Sequence, residues 1–399
     1  MNKQNVTVIG QGYVGLPLAV ALAEAGHTVV GIDLNAQRVE FLNSGVSPVE
    51  DIRDSELQAV IGKGLYSASA DFAPVAQADV VLICVPTPIN SDAKPDLAPL
   101  VSSVKSIAEF IKTGSMVVLV STVAPGCTRE YVHDLLLQES GLKSEEIDIA
   151  FSPERIDPSN KTWNVKNTPK LVAGLTTQAT SRAADFYKSF VSEVNVFDSV
   201  EVVETAKLLE NSFRLINISF INEIALFCEK LGIDVGDVIA AANTKPYGFM
   251  PFYPSVGIGG HCIPVDPMYL LSKASEIGAS ADFIALAHQI NQNRPLYFAH
   301  AASLKLGGLS EKKILVVGVA YKPNVADVRE TPVEALIDAL RLEGAHVSWN
   351  DDLVKDWRGE STSEISSDFD LAILANIHDG TDLSLLGNIP IIDTRVGKK

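Results

Sequence analysis

Residues 257–266 form the part of the chain best suited to covalent chemistry. They place Cys262 in a glycine-rich loop, and Asp266 follows four residues later. Glycines let a backbone take positive φ and let another molecule approach closely. A Cys262 thiolate can attack a carbonyl carbon, and the Asp266 carboxylate can position a water molecule or accept a proton. A glycine-rich loop with one cysteine is usually only a loop, so this interpretation depends on a second motif.

That second motif is a dinucleotide-binding fingerprint near the N-terminus, Gly10-Gln11-Gly12-Tyr13-Val14-Gly15. It lies between a predicted strand and a predicted helix, which is the context that the fingerprint requires. Gly10 makes the turn, Gly12 lets the backbone approach a pyrophosphate, and Gly15 lets the helix and the strand pack closely. The helix N-terminus then faces the phosphates. A nucleophilic cysteine used together with a nicotinamide indicates oxidation through a covalent thioester.

Asp33, at the end of the next predicted strand, indicates which dinucleotide is bound. Its carboxylate would accept hydrogen bonds from the adenosine ribose hydroxyls and would repel a 2′-phosphate, so NAD is favoured over NADP. Arg38 leaves an alternative open, because its guanidinium can stack on adenine or pair with a phosphate. Thr87 and Thr122 each follow a predicted strand, where loops line the cofactor crevice. For either threonine, simple capping is an equally good explanation.

Composition and charge exclude several classes of partner. The 399 residues are 47% hydrophobic and suffice for two or three domains. The formal charge of −17 argues against nucleic acid and anionic membranes, although local Arg, Lys and N–H groups can still hold a small anion. The apolar runs are strand-sized, a signal-peptide pattern is missing, and the four cysteines show no CxxC spacing. We therefore expect a cytoplasmic protein without a structural disulfide or a metal site.

The hydrophobic pattern separates α/β regions from a helical region. Up to about residue 200, strand patterns alternate with helix patterns, which predicts a parallel sheet with right-handed crossovers. Residues 203–231 contain no Pro or Gly and repeat apolar residues at helical spacing, which predicts one long helix. A second, smaller strand-rich block begins at Lys312. Predicted strands cover 5–10, 28–33, 80–85, 117–121, 147–151, 170–173, 313–319, 346–349, 371–375 and 390–393, and further helices cover 16–25, 233–242, 280–306 and 331–343.

An ordered set of motifs along almost the whole chain resembles the UDP-glucose/GDP-mannose dehydrogenase family. Besides the fingerprint and the Cys262 loop, the matching segments are residues 85–88, 121–126, 152–155, 206–211 and 320–323, with Asp266, Asp327 and Arg329. The resemblance implies an α/β protein with two Rossmann-like domains, built on parallel sheets and joined by a central helical region that contains the long helix. We predict an NAD-binding domain over 1–199, a central helical domain with the Cys262 loop over 200–305, and a UDP-sugar-binding domain over 306–399.

The family resemblance also implies a reaction, in which the C6 hydroxymethyl group of a UDP-sugar becomes a carboxylate at the expense of two NAD, in polysaccharide biosynthesis. Cys262 matches the nucleophile that traps the C6 aldehyde as a thiohemiacetal. A second hydride loss gives a thioester, and water releases the acid. Asp266 and Glu154 match residues that handle water and protons, with Thr122 alongside.

Lys207 and Asn211 complete the expected catalytic set. They are four residues apart in the predicted long helix and therefore share a face. The ammonium and the amide N–H can both point at one developing alkoxide and stabilise its charge. Without the other motifs, a solvated helix face would be the preferred interpretation of this pair.

The resemblance assigns further residues to the two ligands. The residues expected to bind NAD are Gly10, Gly12, Tyr13, Val14, Gly15, Asp33, Arg38, Thr87, Thr122 and Arg329. The residues expected to bind the UDP-sugar are Glu154, Arg155, Ile156, Lys207, Asn211, Arg214, Phe252, Tyr253, Gly259, Tyr321 and Lys322. The chain departs from the family at Pro158, which stands where several members carry a second glutamate. A two-glutamate proton relay is therefore in question here.

The choice of substrate depends on a few segments. Residues 152–156, Arg214 and residues 249–254 resemble the branch that acts on UDP-N-acetylhexosamines. We therefore expect UDP-N-acetylglucosamine as the substrate, with UDP-N-acetylmannosamine second and UDP-glucose third. Two other classes stay open. A two-electron hydroxyacid dehydrogenase would need neither Cys262 nor the second α/β block, and a non-catalytic NAD-binding protein would not need a nucleophile together with a lysine and an asparagine.

The predicted long helix also indicates self-association. Its apolar face, from Leu208 to Phe227, is hard to cover with the remaining helices of one chain. Exposed apolar faces of this size are typical of protein interfaces. We therefore expect a homodimer or a higher homo-oligomer.

Overall fold

The computed structural model describes residues 3–90, 92–157, 160 and 162–395, so Pro158 lies outside the described residues. The chain divides into two compact units, Met1–Leu209 and Glu210–Lys399, and the helix Val200–Leu231 begins in the first and continues into the second. The division into three domains over 1–199, 200–305 and 306–399 stays a prediction. Within the described ranges, no helix is both long and apolar enough to span a bilayer.

The first unit is built on one sheet, in which the described residues form eight strands. The strands are β1 (Asn5–Ile9), β2 (Thr28–Ile32), β3 (Tyr66–Ser69), β4 (Val80–Ile83), β5 (Met116–Leu119), β6 (Asp148–Phe151), β7 (Lys170–Gly174) and β8 (Val194–Val196). The helices are α1 (Gly15–Glu24), α2 (Ala36–Asn43), α3 (Asp54–Gly62), α4 (Ala98–Ala108), α5 (Leu135–Ser140), α6 (Thr177–Tyr187) and α7 (Val200–Leu231). β4 and β5 are apolar and buried along their whole length, which is typical of parallel strands covered by helices on both faces.

The order of the strands creates a crevice at one edge of this sheet. The order is β3-β2-β1-β4-β5-β6-β7-β8, so the sheet grows on one side of β1 through β2 and on the other side through β4. Ligands of open α/β sheets bind at the carboxyl ends of strands where this reversal occurs. The fingerprint follows β1, and the loops with Thr87 and Thr122 follow β4 and β5.

One pairing in this sheet differs from the expected parallel arrangement. β7 runs antiparallel to β6, whereas the pairs from β1 to β6 and the pair β7–β8 are parallel. A parallel return normally needs a crossover of a dozen or more residues, usually with a helix. The described residues of 152–169 contain no helix, so the chain turns back beside β6 instead.

The second unit combines helices with a smaller sheet. Its helices are α8 (Val235–Asn243), α9 (Asp266–Glu276), α10 (Asp282–Leu306) and α11 (Pro332–Leu342). Over the described residues its strands are β9 (Lys313–Val317), β10 (His346–Asn350), β13 (Leu371–Leu374) and β14 (Ile391–Asp393), with β11 (Asp356–Trp357) and β12 (Glu360–Ser361) as an antiparallel hairpin. The parallel order β10-β9-β13-β14 puts β9 between strands that follow it in sequence, which creates a second crevice after β9.

The predicted α/β fold is confirmed. One sheet precedes the long helix α7 in the sequence, and a smaller sheet follows it. The predicted strands and helices are present, with ends that differ by a few residues, as is usual at frayed termini. β3, β8 and the hairpin β11–β12 were not predicted. β3 has the sequence Tyr-Ser-Ala-Ser and lies at the sheet edge, where half its side chains need not be apolar.

Candidate active site

The fingerprint turn has the shape that a dinucleotide pyrophosphate needs. Gly10 has a φ of 87°, and a Cβ there would lie 2.6 Å from the Cys84 carbonyl oxygen. A Cβ on Gly15 would lie 1.8 Å from the Gly10 carbonyl oxygen, so only glycine allows α1 to start this close to β1. At Gly12, by contrast, no heavy atom of the described residues lies within 4 Å of such a Cβ. The backbone at Gly12 is therefore open to a ligand, and the turn fits NAD.

Asp33 is held by hydrogen bonds at the carboxyl end of β2. Its Oδ2 accepts from the Gln11 backbone N–H at 3.0 Å and from Arg38 Nη1 at 2.9 Å, and its Oδ1 accepts from Asn35 N–H at 3.0 Å. The pair places the half-exposed Arg38 guanidinium against the carboxylate. A ribose hydroxyl that donates to Asp33 would therefore also meet Arg38.

The buried side chain of Gln11 supports the turn from below. Its Nε2 donates to the Val8 carbonyl at 2.8 Å, and its Oε1 accepts from the Tyr66 hydroxyl at 2.9 Å. A Cβ on Gly31 would come within 2.4 Å of this amide. Gln11 thus connects β1, β2 and β3 beneath the fingerprint, a role that the motif did not indicate.

Thr87 and Thr122 lie at the same sheet edge as the fingerprint. Thr87 is buried and Thr122 is half-buried. The helical segments that follow them have Leu97 and Cys127 as their N-cap residues, so capping does not account for either threonine. The neighbouring Ser121 hydroxyl donates to the Val85 carbonyl at 2.7 Å and joins the two loops.

Glu154 forms a buried ion pair that sequence reasoning missed. Its Oε2 lies 2.7 Å from Lys170 Nζ, and only 8% of Glu154 and 1% of Lys170 is exposed. Its Oε1 accepts from the backbone N–H groups of Arg155 at 2.7 Å and Ile156 at 3.0 Å. The Arg155 guanidinium donates to the Pro169 carbonyl at 2.9 Å. The one available signal was a lysine at the start of an otherwise apolar strand.

Glu204, on α7, is a second buried carboxylate that the sequence did not identify. It accepts from the backbone N–H groups of Gly126 at 2.7 Å and Thr128 at 2.8 Å, and from the Thr128 hydroxyl at 2.6 Å. Burial raises the pKa of Glu204, and these hydrogen bonds oppose that shift. Glu204 thereby fixes α7 to the end of the loop that carries Thr122. Lys207 is also buried, three residues further along the helix.

In the second unit, α7 and α9 bring three of the predicted residues together. Asn211 Nδ2 donates to Asp266 Oδ2 at 2.5 Å. Asp266 is the first residue of α9, and its backbone N–H donates to the Cys262 carbonyl at 2.8 Å. Cys262 is exposed, whereas Cys84, Cys127 and Cys228 are buried. The exposed cysteine thus precedes a helix whose first carboxylate is oriented by the Asn211 amide.

Buried polar side chains of α7 and α10 hold the loop before Cys262. Asn291 accepts from Ile258 N–H at 2.7 Å and donates to the Ile258 carbonyl at 3.1 Å. The Ser255 N–H donates to Asn222 at 3.0 Å, and the Ser255 carbonyl accepts from Arg294 Nε at 3.1 Å. Sequence reasoning missed all three side chains, because helical periodicity marks them only as ordinary polar residues.

The Tyr321 side chain packs on two glycines of the same loop, with its Cβ near Gly259 and its ring near Gly260. A Cβ on Gly259 or on Gly260 would lie 2.8 Å from Tyr321 atoms. The Gly260 N–H donates to the Arg329 carbonyl at 3.1 Å. The Arg329 side chain is partly exposed and pairs with Asp327 at 2.7 Å. The Tyr321 side chain and the Arg329 backbone therefore lie against the glycines that precede Cys262.

The loop after β9, which carries Tyr321 and Lys322, is fixed by Asp351 and His378. Asp351 Oδ2 accepts from the N–H groups of Val319 at 2.9 Å and Ala320 at 3.1 Å. Its Oδ1 lies 2.8 Å from His378 Nε2. His378 Nδ1 accepts from the Asn324 N–H at 2.8 Å, so Nε2 carries the proton that is shared with Asp351. Neither residue was identified from the sequence.

The remaining predicted residues have less defined surroundings. Arg214 and Tyr253 are exposed, while Phe252 is half-buried and its ring lies 5.8 Å from that of Phe213. Thr122, Glu154 and Lys207 lie in the first unit, and the predicted residues from Asn211 onwards lie in the second.

Three sequence models of one family match the chain in order. The NAD-binding domain of the UDP-glucose/GDP-mannose dehydrogenase family matches residues 4–191, its central domain residues 201–293, and its UDP-binding domain residues 315–394.

Individual proteins are similar over most of their length. The UDP-N-acetyl-D-glucosamine 6-dehydrogenase of Pseudomonas aeruginosa is 35% identical over 346 residues, which cover 85% of this chain and 81% of that protein. The UDP-N-acetyl-D-mannosamine dehydrogenase of Methanococcus maripaludis is 34% identical over 87% of this chain and 79% of that protein. The structure of the UDP-D-ManNAc dehydrogenase from Pyrococcus horikoshii has a TM-score of 0.90 and 30% identity, and the match covers 99% of this chain and 96% of that one.

Proposed function

Because the chain belongs to the UDP-glucose/GDP-mannose dehydrogenase family, and is therefore an NAD-dependent nucleotide-sugar dehydrogenase, we propose that it oxidises C6 of UDP-N-acetylglucosamine to a carboxylate. The observation that carries the four-electron reaction is the exposed Cys262 thiol, set in a glycine loop next to the Asn211–Asp266 pair. A two-electron alcohol oxidation needs no such nucleophile.

The first oxidation requires stabilisation of a developing alkoxide at C6. NAD, when bound, supplies the hydride acceptor. Lys207 and Asn211 lie four residues apart on α7, and both are buried. Their N–H groups donate to the C6 oxygen, and donors already oriented by a rigid helix need no reorganisation during the reaction.

The second oxidation proceeds on Cys262. Its thiolate adds to the C6 aldehyde and forms a thiohemiacetal, whose oxidation leaves a thioester. Asp266 and Glu154 orient the hydrolytic water and accept its proton, while Thr122 lies at the cofactor edge. The carbon–sulfur bond then breaks, the carboxylate leaves, and the Cys262 thiolate is restored.

The UDP-sugar is recognised by side chains from several loops. We assign Arg155, Ile156 and Arg214 to the nucleotide sugar, together with Tyr321 and Lys322 of the loop fixed by Asp351. Gly259, Phe252 and Tyr253 belong to the same set. The contact of the Tyr321 side chain with Gly259 and Gly260 supports this assignment, because it joins the loop after β9 to the Cys262 loop.

UDP-N-acetylmannosamine is the second candidate substrate and UDP-glucose the third. The relatives that act on the N-acetylglucosamine and N-acetylmannosamine nucleotides are about equally similar to this chain, at 35% and 34% identity. A panel of the three UDP-sugars, assayed by NADH absorbance with identification of the product, tests the proposal. We expect the highest kcat/KM with UDP-N-acetylglucosamine and about two NADH per uronic acid. One NADH per sugar, with a released aldehyde or ketone, would contradict the mechanism.

We also propose a homodimer built on α7. Leu209, Phe213, Phe220 and Phe227 recur along one side of this helix, and each is between 44% and 61% exposed. Apolar side chains exposed in a continuous stripe are typical of an interface. A second copy of the same helix would cover them symmetrically.

A further inference from the structure

The buried Lys170–Glu154 pair lies in the first unit at the start of β7. Lys170 Nζ and Glu154 Oε2 are 2.7 Å apart, and both side chains are almost completely buried. The Lys170 backbone N–H donates to the Glu193 carbonyl, which fixes the strand beside β8. Burying an ammonium and a carboxylate costs several kcal/mol per ion unless each compensates the other. Stabilisation of the fold is therefore not a sufficient reason for a lysine and a glutamate to be buried at this position.

The donors around Glu154 reach both oxygens of its carboxyl group. Two backbone N–H groups donate to Oε1, and the Lys170 ammonium donates to Oε2. Hydrogen bonds and an opposite charge within about 4 Å stabilise the ionised form of a carboxyl group.

Cys84 and Tyr187 are two other titratable groups that interact electrostatically with Glu154. Burial raises the pKa of the Cys84 thiol, and the Glu154 charge raises it further. Burial likewise raises the pKa of the Tyr187 hydroxyl. Both groups are therefore neutral near pH 7 and add no charge. The Arg155 guanidinium donates to the Pro169 carbonyl.

We propose that Lys170 is a positioning residue for the dehydrogenase reaction, which compensates the buried charge of Glu154 and orients its carboxylate for proton transfer. The inference rests on the role proposed for Glu154 above. During thioester hydrolysis, a water O–H bond breaks as its oxygen bonds to the thioester carbon, and an anionic Glu154 takes the proton. The carbon–sulfur bond breaks, and its electrons return to the Cys262 sulfur.

The test is the pH dependence of kcat with saturating NAD and UDP-N-acetylglucosamine. In Lys170→Met the acidic limb of the profile moves to higher pH by about one to three pH units, because the compensating cation is lost. In Lys170→Arg the cation is kept, and the limb stays at the wild-type pH even where the new shape lowers kcat. Lys105→Met is the matched control, since it removes the lysine of the exposed Lys105–Glu139 pair in the same unit. Its profile remains that of the wild type.

An unmoved limb in Lys170→Met overturns the proposal. If Lys170→Met does not fold, the test rests on Lys170→Arg. An acidic limb that moves in Lys170→Arg, although the positive charge is retained, also overturns the proposal. Glu154→Gln separates this inference from the proposed function. If Glu154→Gln has the kcat and the pH profile of the wild type, Glu154 has no part in the mechanism. If Glu154→Gln loses the acidic limb of the profile while Lys170→Met leaves that limb unmoved, only the role of Lys170 is refuted.

Discussion

Asn291→Ala tests how the loop that carries Cys262 is held in place. The buried Asn291 amide makes one hydrogen bond with the Ile258 N–H, at 2.7 Å, and one with the Ile258 carbonyl, at 3.1 Å. The substitution leaves both backbone groups buried without these partners. Each unsatisfied group costs about 1–3 kcal/mol, so we expect the free energy of unfolding to fall by about 2–6 kcal/mol.

The same substitution reports on catalysis. A loop that shifts by about 1 Å can lose on the order of a hundredfold in rate, so we expect kcat to fall about tenfold or more in Asn291→Ala. The affinity for NAD should change much less than kcat, because the fingerprint and Asp33 belong to the first unit. Urea unfolding, steady-state kinetics and NAD titration measure the three quantities.

Two further variants sharpen this prediction. Asn293→Ala changes an exposed asparagine of the same helix and should match the wild type in stability and kcat. Asn291→Asp keeps an acceptor for the Ile258 N–H but puts a carboxylate oxygen against the Ile258 carbonyl, so it should be at least as damaging as alanine. If Asn291→Ala matches Asn293→Ala in both unfolding free energy and kcat, the proposed organisation of the loop is refuted.

Four other outcomes follow from the structure. Cys262→Ala should lower the rate of uronic acid formation by about a thousandfold or more while NAD still binds. Cys262→Ser should carry a covalent adduct with the sugar nucleotide, which mass spectrometry can detect. Turnover near the wild-type rate in Cys262→Ala would exclude a thioester intermediate. Asp33→Ala frees Arg38 for a 2′-phosphate and should raise the NADP-to-NAD ratio of kcat/KM about tenfold or more, which an unchanged ratio would contradict. Burial raises the pKa of Asp351, but hydrogen bonds from His378 and from backbone N–H groups outweigh burial and bring this pKa below its ordinary value. The ionised Asp351 carboxylate therefore stabilises the folded protein at pH 7, and this contribution is lost as the pH falls below about 4. In urea titrations, Asp351→Asn should accordingly lower the free energy of unfolding less at pH 3 than at pH 7. Phe220→Asp puts a charge in the exposed stripe of α7 and should yield monomers by light scattering, whereas a wild type that is already monomeric at micromolar concentration would contradict the dimer.

Local pattern was sufficient for most of the fold. The alternation of apolar strands with helices, and the uninterrupted helix Val200–Leu231, follow from residue periodicity over short windows. The antiparallel β7 could not be predicted in this way, because the direction of a strand depends on how the chain returns between residues 152 and 169. β3 was missed for a related reason: its polar sequence becomes a strand only because β2 offers an unpaired edge.

The sequence by itself determined the family, the fold class and the cofactor of this protein, and the tertiary structure decided which buried groups hold the candidate site residues in place. The fingerprint, Asp33 and the Cys262–Asp266 loop are short segments whose residue types carry their meaning without a partner. Lys170, Asn291 and His378 have meaning only through groups 16, 33 and 27 residues away, respectively. A buried polar side chain is recognised by what it pairs with, and that pairing exists only once strands and helices distant in the chain have packed together.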